Sequence, residues 1–195
     1  MKTLLFAAFI FCSTSIMANN YFGLMGGQTW FGSSEFDKYK VSAKGPSYGG
    51  FVGIGKDFVG LELFVQQLNA EGKIKHEGES GKINMNALGY GAALRFSFQL
   101  LFLRLGVGRY NLDQSIDLNT AANIPAAEEV YNVQSEGTTK NGILFGAGVH
   151  SKFKIGRVYL DYTRHQIADT GHYDSLSFGL SWAIPDRLFA VGKGD

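Results

Sequence analysis

Val59-Gly60-Leu61-Glu62-Leu63-Phe64-Val65-Gln66 is the stretch whose reading decides the fold. Aliphatic side chains at 59, 61, 63 and 65 alternate with a glycine, a carboxylate, a ring and an amide. A period of two is that of a β-strand, in which successive side chains point to opposite faces. The pattern returns where Leu103, Leu105 and Val107 alternate with Arg104, Gly106 and Gly108. It returns again where Leu176, Phe178, Leu180 and Trp182 alternate with Ser175, Ser177, Gly179 and Ser181. Each segment has one apolar face and one narrow, weakly polar face, which is the pattern of a β-barrel wall.

Working outward from these strands, eight such segments fall near residues 20–31, 47–57, 58–70, 82–97, 101–112, 140–153, 157–167 and 175–184. Their lengths suit tilted strands crossing a bilayer, which needs about 9 to 11 residues in the hydrocarbon. The connections alternate in length. Short ones are expected at Lys56-Asp57, Ser97 to Leu100 and Lys154 to Arg157. Longer ones are expected at Gly32 to Pro46, Glu71 to Gly81, Asp113 to Thr139 and Ala168 to Asp174. In an up-and-down barrel this puts every short turn at one rim, as in outer-membrane barrels with periplasmic turns and extracellular loops. A helical turn beginning near Pro125 is one reading of the longest loop, and a mobile loop is the other.

The start of the chain bears on the same question. Lys2, the apolar run Leu4 to Phe11 and the small residues ending at Ala18 form a secretory signal peptide, residues 1–18. The barrel domain would occupy 19–184, and 185–195 would form a short periplasmic tail. Cys12 is the one cysteine and lies inside the signal, so the exported chain relies on no disulfide. A formal net charge of +1 gives no electrostatic footprint for nucleic acid. With 26 glycines long helices are disfavoured, and with 14% aromatics so is disorder.

The second face tells inside from outside. A soluble barrel would cover its exterior with Lys, Glu and Thr, whereas here Gly49, Gly53, Gly89, Gly91, Gly146 and Gly148 dominate the non-apolar positions. Small residues suit a confined lumen, so the apolar face turns outward to lipid. By strand parity Glu62, Arg95, Arg104, His150, Lys152 and Asp161 then face the lumen. Buried charges require partners, which predicts a paired network filling a hydrated but obstructed interior. The rival reading is an ion or solute pathway in which the same charges set selectivity. Tyr21, Trp30, Tyr90, Tyr162 and Trp182 are expected at the membrane interfaces. Arg164 is expected to face outward near the outer rim, either contacting lipopolysaccharide phosphates or snorkelling to the interface. Phe36, Lys38, Tyr39, Lys40 and Lys44 form either a partner-contacting or a merely solvated first loop.

Residues 86–96 (Asn86-Ala87-Leu88-Gly89-Tyr90-Gly91-Ala92-Ala93-Leu94-Arg95-Phe96), 158–164 and 174–182 resemble the strands of the small eight-stranded outer-membrane barrels of Gram-negative bacteria, the group of the OmpA membrane domain and OmpX/Ail-type proteins. The resemblance covers essentially the whole exported chain. It implies an all-β, eight-stranded antiparallel barrel in the bacterial outer membrane. It further implies lipid and lipopolysaccharide as surroundings, the barrel assembly machinery as a partner during biogenesis, and extracellular loops able to meet a surface ligand. Such barrels usually end on an aromatic residue, whereas this last strand stops near Ile184 and Pro185 opens the tail. That tail is too short for a peptidoglycan-binding domain.

Catalytic and metal chemistry find little footing. The lipid A deacylase barrel uses a His-x-Ser pair, but His165 is followed by Gln166-Ile167 and His150 directly by Ser151. Adjacent strand residues face opposite sides, so His150 and Ser151 cannot act as a nucleophile–base pair. His172-Tyr173-Asp174-Ser175 is the one place where a loop would permit such geometry. The four histidines lack close metal-ligand spacing. The expectation is a non-enzymatic structural or surface-interaction barrel with no cofactor. A narrow channel is the alternative, and a lipid-modifying enzyme a third reading.

Overall fold

The computed structural model describes residues 19–32, 40–56, 58–76, 79–117, 137–153 and 156–184. The signal, the tail and the turn near Pro125 lie outside them, as do first-loop residues 33–39. Eight strands follow in chain order: β1 (Asn19–Gly32), β2 (Lys40–Gly55), β3 (Val59–His76), β4 (Glu79–Phe98), β5 (Leu101–Asp117), β6 (Thr138–Phe153), β7 (Gly156–Ile167) and β8 (Gly171–Ala183). Each pairs antiparallel with its neighbour, and β1 pairs with β8 from Tyr21↔Ala183 to Gly32↔His172, which closes the barrel. Closure leaves no edge strand and satisfies the backbone internally, the condition for crossing hydrocarbon.

The β2–β3, β4–β5 and β6–β7 connections share one rim with the two ends of the barrel domain. There Lys56 N–H donates to the Val59 carbonyl at 2.9 Å, and Ile184 N–H to the Asn20 carbonyl at 2.7 Å. The β4–β5 turn is only Gln99-Leu100, with Gln99 at φ 49°.

The opposite rim differs from the sequence expectation. β3 and β4 stay paired out to His76↔Glu79, so Glu71 to Gly81 is a continued hairpin and not a long loop. β2 starts at Lys40, and β7 and β8 are joined by three residues, Ala168 to Thr170, with Asp169 at φ 54°. Apolar alternation ends where strands leave the lipid, but the backbone ladder needs only a partner strand and continues into water.

Outward positions form a continuous apolar belt. Val59, Leu61, Leu63 and Val65 on β3 and Leu101, Leu103, Leu105 and Val107 on β5 are all exposed on the outer wall. Above them the same face turns polar, through Gln67, Asn69, Glu71 and Lys73 on β3 and Arg109, Asn111 and Asp113 on β5. The belt surrounds the half of the barrel nearer the turns, and β3, β4 and β5 continue beyond it as polar strands.

Candidate functional site

Of the charged residues that parity assigned to the lumen, Glu62, Arg95, Arg104 and Asp161 are buried there, and register brings these four to one level. Gly60 pairs with Arg95, Arg95 with Arg104, and Gly148 with Asp161, while Glu62 sits two residues along β3 from Gly60. Arg104 Nη2 lies 2.8 Å from Glu62 Oε2, and its Nη1 lies 3.7 Å from Asp161 Oδ2. Arg95 Nη1 reaches Glu62 Oε1 at 3.6 Å. Two cations thus share two anions, all four buried. Thr163 donates to Asp161 at 3.1 Å, and the guanidiniums of Arg95 and Arg104 lie 4.2 and 5.4 Å from the ring centres of Phe102 and Phe51. Among buried side chains such neutralisation and ring contact offset the loss of hydration around each charge.

Tyr21 corrects the sequence reading. It was expected at the membrane interface, but it faces the lumen and donates its hydroxyl to Glu62 Oε1 at 3.1 Å. His150 is buried, edge-on to Phe102 at 5.9 Å. Lys152 shares the inward parity but stands exposed at the turn rim, outside the buried cluster.

The interior is also less polar than expected. Met25, Phe51, Phe64, Phe102, Leu144 and Tyr159 pack around the charges. Toward the opposite rim a second apolar cluster, including Phe31, Leu68, Ile83, Met85, Leu112 and Tyr173, fills the barrel. Between them lies a band of buried polar groups, among them Thr29, Ser47, Gln66, His165 and Ser177, with Tyr110 Oη 2.9 Å from His165 Nδ1. The glycines accommodate rings: a Cβ at Gly179 would collide with Tyr159, and one at Gly148 with Phe102. Sequence reading missed these aromatics, although Tyr159 shares the parity of Asp161 and so carried the signal.

On the outer wall Trp30, Tyr90 and Tyr162 are exposed, and Trp182 stacks on Phe22 at 5.2 Å. Arg164 is held by Asp174, directly opposite in register, through Nε–Oδ1 at 2.6 Å and Nη2–Oδ2 at 2.8 Å. His172 Nε2 lies 3.6 Å from the same carboxylate. Residues 172–175 are strand and not loop, so Ser175 points inward and donates to the Thr163 carbonyl at 3.3 Å, away from His172. Among the described residues no group of three or more His, Cys, Asp or Glu could hold a metal ion.

The sequence profile of the outer membrane protein beta-barrel domain family matches residues 4–183. The chain belongs to that family. Comparison with curated proteins found no match. Among solved structures, the barrel is similar to Neisserial surface protein A at 15% identity and TM-score 0.49, over 85% of this chain and 97% of that one. It is also similar to Ail of Yersinia pestis at 13% identity and TM-score 0.49, over 87% of this chain and 100% of that one. The N-terminal β-barrel domain of Pseudomonas aeruginosa OprF follows at 13% identity and TM-score 0.45, over 85% and 98%.

Proposed function

We propose that this barrel is a non-enzymatic outer-membrane protein with a structural or surface-interaction role, adhesion or envelope integrity, and a lumen closed to solutes. The observation that carries this reading is the two-tier filling of the interior. A solute entering from the turn rim meets the Glu62–Arg104–Asp161 layer, then the apolar cluster around Leu68, Ile83 and Met85. An interior of about eight strands is just wide enough to be filled by side chains. The polar continuation of β3, β4 and β5 above the belt supplies a surface for contacts outside the membrane. In this reading lipopolysaccharide and lipid surround the belt, and Arg164, braced by Asp174, offers its guanidinium to their phosphates.

Single-channel recording of the purified chain in planar bilayers at neutral pH tests the closed lumen. The reading expects no discrete openings above the bare-bilayer baseline. Reproducible unitary steps would replace it with the narrow-channel alternative.

A further inference from the structure

Register sets two unlike rows side by side on the outer wall from β3 to β6. Leu63, Ala92, Val107 and Ile143 form one row, and Val65, Tyr90, Arg109 and Asn141 form the next row toward the polar rim. The short side chain of Ala92 lies between the longer Leu63 and Val107, and the wall dips there into an open groove of about 930 Å³. Its walls are the apolar row, and Tyr90, Arg109 and Asn141 line its upper end. That volume falls within the roughly 300 to 1,000 Å³ of small-molecule sites.

Arg109 is exposed and is the first charged residue on the outer face of β5 above the belt. Its register partners are Tyr90 and Asn141, and among the described residues its guanidinium has no ion-pair or hydrogen-bond partner. No acidic residue lines the groove among the described residues, and Asn141 adds an exposed carboxamide donor beside the guanidinium. An apolar trough that ends at an unpaired cation matches an amphiphile with an acyl chain and an anionic head. The chain covers Ala92, Val107 and Ile143, and the head's oxygens accept from the forked guanidinium N–H groups. Any lipid chain satisfies the apolar part equally, so selection falls to the charge of the head.

We propose that this groove is a binding site for an anionic, phosphate-bearing lipid, with the phosphate on Arg109 and one acyl chain against Ala92. The site rests on the lipid-facing reading of the belt and deepens the lipid contact stated above, at a place whose lining does not include Arg164. It is independent of whether the lumen conducts.

Native mass spectrometry of the full exported chain, released from uncharged detergent micelles supplied with dimyristoyl phosphatidylglycerol or dimyristoyl phosphatidylcholine, reads the lipid retained. One phosphatidylglycerol is expected to stay with each barrel, and phosphatidylcholine to be retained about tenfold less. Arg109→Gln should weaken phosphatidylglycerol retention about tenfold. Ala92→Phe fills the groove while keeping the charge and should weaken it likewise, whereas Arg164→Gln should leave the groove lipid in place. Heat-modifiable migration reports whether each variant is folded, and if Ala92→Phe is not, Ile143→Trp fills the groove from its other side. Equal retention of the two lipids would overturn the site while leaving the belt lipid-facing. Loss of the lipid in Arg164→Gln but not in Arg109→Gln would overturn it in favour of the Arg164 contact, and unchanged retention in the folded groove-filling variant would overturn it as well.

Discussion

Glu62 receives Arg104, Arg95 and the Tyr21 hydroxyl, so three side chains from β1, β4 and β5 depend on one carboxylate of β3. Truncating it leaves two guanidiniums buried beside one another with only Asp161 to balance them. Glu62→Ala is therefore expected to lower unfolding stability by about 3 to 5 kcal/mol, read from urea titrations in lipid vesicles followed by tryptophan fluorescence. Glu62→Ala combined with Arg104→Ala should cost less than the sum of the two single changes. At this scale Glu62, Arg95, Arg104 and Asp161 were legible from parity, because each interrupts a strand with strong contrast between its faces. Tyr21 was not, because β1 offers little contrast: Phe22 and Leu24 face lipid while Tyr21 and Met25 face the lumen.

The β3–β4 hairpin shows what alternation alone misses. Its outer part, Glu71 to Gly81, is polar in sequence and reads as loop, yet it remains paired residue by residue. Outside the lipid a strand has no need of an apolar face. The hairpin beyond Gly72↔Ile83 should accordingly be dispensable for folding. Replacing Lys73 to Lys82 with an Asn-Gly turn is expected to preserve heat-modifiable migration on a denaturing gel. Loss of that migration would show that the extension helps to close the barrel.

For the whole molecule, the sequence disclosed the strand count, the antiparallel wall and the outward apolar face, since these follow from local periodicity. It did not disclose the filling of the lumen by rings, which depends on which side chains from different strands meet at one level. Alternate residues of β3 and β5 face lipid around a filled interior. Single cysteines at Leu61, Leu63, Leu103, Leu105 and Val107, carrying nitroxide labels in vesicles, test it most directly. Collisions with dissolved oxygen and protection from an aqueous nickel chelate are expected at all five, in contrast to a label at Asp113. Chelate access at the five positions equal to that at Asp113 would contradict it.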